Sequence, residues 1–426
     1  MGMKKTFLFC YLMVASAAFA QSLTEVIEYT LKSNPILQAS SHTVDAAQAM
    51  KRQAVAGYLP VIDLTLATGK ETSNNTTTRS LGLMDDRFTR TERGLSISQL
   101  LYDGFATANF VKQQSAVLSA TESRLVSGRE NTSLQAIQAF LEIIRLDKMV
   151  DLTEHNLRFH MATLEKINKR FETGVGTKVD VVQTEGRKAQ SESNLHLSRK
   201  DAKNGRARFY NIVGENAKDL EMPAALTELP FNLEEALQLA YNNNSQLKAA
   251  TADVEAAEAA TKQAQASLQP RFDLKLTATR NDDVDGSLGP NDDETAVIKM
   301  TYNLYRGGAD QAKSNEAQAR EFAARETLRS VKNMVLQDVT IIWNNLEDIQ
   351  RRLAFLQTHV SATEEVLEVY NEQLALGKRS LLDVLDIQNE LLRAQASYVS
   401  AEVSLRLVQY RILASSSSLL ANFGLD

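Results

Sequence analysis

The sequence predicts a mainly α protein carrying a pair of β hairpins, with a helix-strand-strand-helix plan written twice. Three observations predict it. The stretch "LTEVIEYTLKSNPILQASSHTVDAAQAMKRQAVAGYLPVIDLTL" from Leu23 aligns without a gap to "LEEALQLAYNNNSQLKAATADVEAAEAATKQAQASLQPRFDLKL" from Leu233, pairing Asn34 with Asn244, Pro60 with Pro270 and Asp63 with Asp273. In each copy apolar residues recur at helical spacing, switch to period two, then return to helical spacing. Only 6 prolines and 18 glycines punctuate 426 residues, so long uninterrupted elements are expected.

Residues 1–20 read as a signal peptide: Lys4 and Lys5, an apolar run from Thr6 to Val14, then the small-x-small stretch Ala18-Phe19-Ala20. The mature chain is expected to start near Gln21. The 1 cysteine, Cys10, lies inside that leader and away from its end, so neither a lipid anchor on cysteine nor a thiol or disulfide in the mature chain is expected. A net charge of −6 argues against nucleic acid as a partner. No mature stretch approaches about 18 consecutive apolar residues, the length a membrane-spanning helix needs.

The first repeat is placed at 21–214. A helical pattern from Leu23 to Gly57 stops at Leu59-Pro60, followed by strands at about 61–72 and 92–102. A second helical pattern, from Gly104 to Phe171, turns around Gly174 and returns to Val213. An equatorial linker at 215–231 leads to the second repeat at 232–414. There the helix from Leu233 stops before Pro270, and strands follow at about 271–280 and 295–305. A long pattern from Gly308 to Leu376 turns at Gly377 and returns to Ala414, before a tail at 415–426 read as a short linker. The polar connections "ETSNNTTTRSLGLMDDRFTR" and "NDDVDGSLGPNDDE" read as exposed loops. Each long pattern predicts a rod of roughly 100 Å. A return helix plus the next copy's leading helix has about that length, so the two are expected to stack end to end along one long helix.

The strands alternate: Phe272, Leu274, Leu276 and Ala278 on one face, Asp273, Lys275, Thr277 and Thr279 on the other. In lipid a sheet survives only when closed, and four strands cannot close a barrel around anything. Either the hairpins pack within the chain or several chains pool their strands. Tyr58, Tyr102, Tyr302 and Tyr305 fall at the strand ends nearest the helices, where a girdle at one membrane face would lie. The same tyrosines could cover strand ends in a soluble fold.

The stretch "LGKRSLLDVLD" (376–386) concentrates glycine, arginine and two carboxylates. Gly377 ends one helix, Ser380 caps the next, and Asp383 completes a capping-box-like pair. The first copy repeats this with Gly174, Thr177 and Asp180. Capping leaves Asp386 unexplained. It stands three residues after Asp383, with Glu390 and Arg393 continuing the face and Gln183 as its first-copy counterpart. A solvated face is one reading; a general acid-base pair is another, disfavoured because no histidine or nucleophile pattern accompanies it. His42, His155, His160, His196 and His359 are scattered and read as solvated or interfacial, not as metal ligands. Gly174-Val175-Gly176 follows a helix, so it is no dinucleotide loop. Trp343 is expected to pack between helices. No catalytic, cofactor or metal residue is assigned.

The duplicated plan, the paired glycine turns and above all "GKRSLLDVLDIQNELLRAQ" resemble the TolC family of outer-membrane channel-tunnels across essentially the whole mature chain. The resemblance implies a non-enzymatic homotrimer in the bacterial outer membrane. Three chains would give four strands each to a 12-stranded barrel, and their helices would form a coiled-coil tunnel through the periplasm. The implied partners are a periplasmic adaptor protein, an inner-membrane transporter and outer-membrane lipid. The turns would form the tunnel's closed periplasmic tip, with Asp383 and Asp386 lining the entrance and Asp180 and Arg379 holding neighbouring helix pairs. Two positions depart from the family: Leu374 where a gate tyrosine is usual, and Val179 in place of a threonine. The stretch from Leu381 to Leu420 resembles the branch serving type I protein secretion more than the drug-efflux branch. The alternatives are a multidrug or small-molecule duct and, from another class, a periplasmic coiled-coil structural or adhesin protein.

Overall fold

The computed structural model describes residues 21–226 and 228–425. The expected signal peptide therefore lies outside the described residues. The first half begins with α1 (Leu23–Ser33) and α2 (Pro35–Ala56), not with one continuous helix. Pro35 suits the break, since it fits the first position of a helix but supplies no N–H within one. Asn34 caps α2, accepting from the N–H of Ile36 at 3.0 Å and of Leu37 at 3.3 Å. Next come β1 (Val61–Glu71), the short helix α3 (Thr76–Leu81) and β2 (Phe88–Tyr102). The first half closes with α4 (Ala106–Glu172) and α5 (Lys178–Val213).

The second half repeats the order with α6 (Leu233–Asn243), α7 (Ser245–Gln265), β3 (Arg271–Asp282), β4 (Pro290–Thr301), α8 (Ala309–Ala375) and α9 (Leu381–Ser415). Its leading helix is also split, at Asn244, whose side chain caps α7 through Leu247 N–H at 3.0 Å. Helices α4 and α8 each hold 67 residues, which gives roughly 100 Å of rod.

End-to-end stacking occurs, but within each half and not between one half and the next. The Asn34 side-chain amide donates to the carbonyl of Ile212, and Ser33 Oγ donates to that of Val213 at 3.1 Å, so the end of α5 meets the start of α2. In the second half the Asn244 amide donates to Ser415 O at 2.9 Å, joining α9 to α7. The physical reason is that asparagine carries both an acceptor and a donor. It satisfies the free N–H groups of one helix and a terminal carbonyl of the other. Helix α5 then lines the far half of α4, where Asn156 meets Ser191, and α2 lines the near half, where Gly57 meets Thr107.

The largest apolar core lies at these joints. It gathers Val26 and Ile27 from α1, Ile137, Phe140 and Leu141 from α4, Phe209 and Val213 from α5, and Tyr410 from α9. The tail, expected as a linker, contributes to this core through α10 (Leu419–Asn422), with Leu419 and Leu420 buried. The buried carboxylate of Glu130 accepts from both of their N–H groups at 3.2 Å. Trp343 packs partly buried beside Val339 and Leu346, and its indole donates to Glu347 at 2.8 Å.

The four strands form one antiparallel sheet in the order β1-β2-β3-β4. Register aligns Ile62, Ile97, Leu276 and Ala296 across it, and likewise Asp63, Ser96, Thr277 and Thr295 on the opposite face. The apolar face has no cover: Leu64 is 69% exposed and Ile298 66%. Among the described residues both edges, β1 and β4, are free.

Three boundaries differ from expectation. Strand β2 starts at Phe88 because Arg90 pairs with Glu71 at 2.9 Å and Glu92 at 2.5 Å, which lets the charged segment continue the ladder. Strand β4 runs Pro290–Thr301, displaced toward its turn, since Pro290 to Glu294 pair with β3 down to Asp282. Tyr302 and Tyr305 consequently lie beyond the strand. The first loop contains α3, begun by a capping box between Asn75 and Thr78.

The joints predict that Asn34→Ala, which unpairs groups on two helix ends at once, costs roughly 1 to 2 kcal/mol. Asn244→Ala should cost about the same, and the double variant their sum, because the joints share no partner. Thermal unfolding of the purified protein checks this, and a double variant no less stable than either single one would refute it.

Candidate functional site at the paired helix turns

The two long helices end in turns of matching construction. After α4, Gly174 adopts φ 78°, and the N–H groups of Val175 and Gly176 both donate to Arg170 O at 2.9 Å. After α8, Gly377 adopts φ 69°, and Lys378 N–H donates to Gln373 O at 2.8 Å. This left-handed conformation strains any residue with a Cβ, so glycine ends each rod without cost. Thr177 then caps α5 in a full capping box, with Asp180 N–H on Thr177 Oγ1 and Thr177 N–H on Asp180 Oδ2, both at 3.2 Å.

The second turn makes only half of that box. Ser380 Oγ accepts from Asp383 N–H at 3.2 Å, but the Asp383 carboxylate pairs with Arg379, Nε to Oδ2 3.4 Å. The expected reciprocal pair is therefore corrected for α9, because Arg379 stands where the first turn has Gly176 and offers the carboxylate a positive partner there. The guanidinium of Arg379 also lies 3.8 Å from the ring centroid of Tyr370, one face of a cation-π contact. Asp180 and Arg379 thus make their bonds each within its own turn.

Asp386 reaches across the halves: Arg187 Nη2 of α5 donates to its Oδ1 at 2.8 Å. Glu390, expected on the same face, points to His359 of α8 at 3.2 Å. Around this bridge α4, α5 and α9 share a buried polar chain. Gln388 donates to Asn156 Oδ1 and Asn156 to Ser191 Oγ, both at 3.1 Å, and Ser191 donates to Arg187 O at 3.0 Å. Toward the turns the same helices meet through Ile167, Val181, Leu381 and Leu385. Leu374 packs on that cluster, and its carbonyl accepts from Arg170 of the other half at 3.3 Å. Val179 is exposed.

His160 corrects the expectation of a solvated or interfacial histidine. It is fully buried on α4, and neither ring nitrogen has a hydrogen-bond partner. Burial, with the positive Arg187 nearby, pushes its pKa down from 6.5 to about 4. Tyr58, Tyr102, Tyr302 and Tyr305 all stand at the helix end of the sheet. Tyr102 packs against Phe105 at 5.6 Å and Phe272 at 6.3 Å, while the other three are exposed.

Sequence reasoning missed Arg187, Arg170 and Tyr370. Arg187 carried a usable signal: it lies seven residues after Asp180, on the same helical face two turns on.

A sheet with an uncovered apolar face, set on rods of 67 residues, is the fold of outer-membrane channels. The VceC outer-membrane protein from Vibrio cholerae superposes with a TM-score of 0.83 at 20% identity, over 93% of this chain and 96% of that one. The CmeC outer-membrane channel of Campylobacter jejuni gives 0.84 at 12%, over 93% and 86%. The family profile described as "Outer membrane efflux protein" matches residues 26–215 and again 236–414, and the chain belongs to that family. Its place is the bacterial outer membrane, and family members are channel proteins, not enzymes. Among its relatives, the outer membrane efflux protein BepC of Brucella suis is 27% identical over 96% of this chain and 88% of its own length. The proteases secretion protein PrtF of Dickeya chrysanthemi is 24% identical over 93% and 87%. The outer membrane protein TolC of Escherichia coli is 22% identical over 95% and 84%.

His160 generates a pH prediction. Above pH 6.5 the ring is neutral folded and unfolded, so stability there does not depend on its protonation. Between 6.5 and about 4 the unfolded chain binds a proton that the folded chain refuses. Stability therefore falls with falling pH across that window, by a total on the order of 3 kcal/mol. His160→Leu should flatten this part of the stability profile, measured as unfolding midpoints from pH 7 to pH 4; a variant as acid-sensitive as the native protein would contradict it.

Proposed function

We propose that this protein is the trimeric exit duct of a tripartite export system, a passive conduit through the outer membrane that is gated at its helix turns and serves type I protein secretion. The uncovered apolar sheet face with its two free edges carries the reading, because lipid accepts such a face but not unpaired edges. Three copies would pair their edges into a 12-stranded barrel, and the rods would assemble into a coiled-coil tunnel. Tyr58, Tyr102, Tyr302 and Tyr305 would mark the periplasmic membrane face, as amphipathic rings at both interfaces do in other barrels. The exposed side chains of Val175, Val179 and Leu376 at the turns suit apolar docking of a periplasmic adaptor, itself bound to an inner-membrane transporter.

At the narrow end, threefold repetition of Asp383 and Asp386 would set six carboxylates around one axis, a cation-attracting mouth. Asp180 and Arg379 would hold neighbouring helix pairs closed through charge-assisted bonds. The lock lacks the tyrosine and threonine usual in the family, with Leu374 and Val179 in their places.

Similarity to PrtF, named for secretion of proteases, supports the secretion branch. Similarity to BepC, named an efflux protein, favours a second reading as a small-molecule efflux duct. Deleting the gene separates them. The secretion branch expects secreted proteins to vanish from the medium with drug susceptibility unchanged; increased susceptibility with normal secretion reverses the assignment.

In planar bilayers, Arg379→Ser and Asp180→Ala should each raise single-channel conductance by roughly twofold or more as the closed tip loosens. Asp383→Ala with Asp386→Ala should weaken block by Mg²⁺ on the order of tenfold. Unchanged conductance together with unchanged block removes the gate assignment.

A further inference from the structure

The two carboxylates of the proposed mouth are not equally available to ions. Asp383 is held by Arg379 at 3.4 Å within its own turn. Asp386 is held more closely, at 2.8 Å, by an arginine from the opposite half of the chain. That arginine stands on α5 and the aspartate on α9, 199 positions apart in sequence.

The approach of these two helices is fixed by more than the ion pair. Gln388, two residues after Asp386, is tied through Asn156 and Ser191 to the backbone carbonyl of Arg187. The buried chain thus anchors both partners of the bridge, one at its own carbonyl and the other through a near neighbour on its helix. A buried network with its members satisfied holds its geometry, so α5 and α9 are kept at the spacing across which guanidinium and carboxylate meet. The pair itself remains in contact with water, Arg187 at 37% and Asp386 at 58% exposure, so its charge is felt by passing ions.

An isolated carboxylate acts on an ion as a point charge. Paired with a guanidinium at hydrogen-bond distance it becomes a dipole, whose potential falls off faster and is spent within about one Debye length, roughly 8 to 10 Å at ordinary salt. Repeated three times, this removes one of the two rings of negative charge as seen from the axis.

We propose that Arg187 is a selectivity-determining residue: by pairing with Asp386 across the two halves of the chain it neutralises one carboxylate ring at the narrow end. The channel is thereby less cation-selective, and less sensitive to divalent block, than its two aspartates alone would make it. The inference rests on the reading of the turns as the channel's narrow end, so the experiment separates the two.

Reversal potentials in a KCl gradient, and block by Mg²⁺, are measured on the full-length protein in planar bilayers. Arg187→Gln should raise the ratio of cation to anion permeability roughly twofold to threefold, the effect of three unit charges about one Debye length from the axis. It should tighten Mg²⁺ block by about the same factor, because a divalent cation gains twice the energy of a monovalent one, which is also the energy difference between a monovalent cation and anion. Arg187→Lys, which keeps the charge, should leave both near native values. Asp386→Asn should move both opposite to Arg187→Gln, and the double variant, which removes both charges of the pair, should return both to near native values. If Asp386→Asn shifts selectivity and Arg187→Gln does not, Asp386 acts unneutralised and the inference falls while the mouth reading stands. If neither these nor Asp383→Asn shifts selectivity or block, the turns do not line the conducting path and both fall.

Discussion

Four strands with one apolar face uncovered and two edges free make a surface that neither water nor lipid tolerates as it stands. Water penalises the exposed leucines, isoleucines and valines, and lipid penalises the unpaired N–H and C=O groups of β1 and β4. Both penalties disappear when the apolar side meets lipid and the edges meet further strands. The polar face, with Asp63, Ser96, Thr277 and Thr295 in one row, then turns toward the other side of the closed sheet. The helices answer a different demand. Their largest core is concentrated where α1, the C-terminal parts of α5 and α9, and the tail meet the middle of α4. The chain thus gathers its apolar surface at two levels, exposed on the strands and enclosed in a compact knot among the helices.

Between that knot and the turns, the seam joining the two halves is polar. Asparagine, serine and glutamine form its buried part, and arginine with aspartate its wetted part. Near the turns it becomes apolar again, around Leu385 and Val181. Polar seams specify register more than they add stability, because any displacement strands a buried donor. His160, buried without partners among these helices, adds a local penalty that sharpens at low pH. Pairing between the halves here depends on alignment, not on adhesion.

Much of this architecture is legible in the sequence because duplication shows each element twice. The long rods, the glycine turns and the hairpins fall where apolar periodicity sets them. Other features escape for identifiable reasons. Pro290-Asn291-Asp292-Asp293-Glu294 has the composition of a loop, yet it is ladder, because β3 supplies partners such as Arg280 for Asp292 at 3.4 Å. The leading helices look continuous because Asn34 and Asn244 interrupt the backbone without interrupting the apolar pattern. For Arg187, local spacing places the side chain on the face of Asp180, but its partner Asp386 lies in the other half, 199 positions away, which spacing does not reveal. The same holds for Leu419 and Leu420, whose burial depends on Glu130 nearly 290 residues away. Local rules place elements, and distance in sequence hides the contacts that couple them.

The asparagine joints also have a mechanical consequence. A continuous helix of 67 residues resists bending along its whole length, whereas two helices abutting through a pair of side chains transmit compression better than torque. Each half of the chain therefore pairs a stiff spar with an articulated one, and the articulation sits at the level of the apolar knot. A sideways load on the turns would be absorbed as a pivot at Asn34 and Asn244, leaving the strands beyond them unstressed.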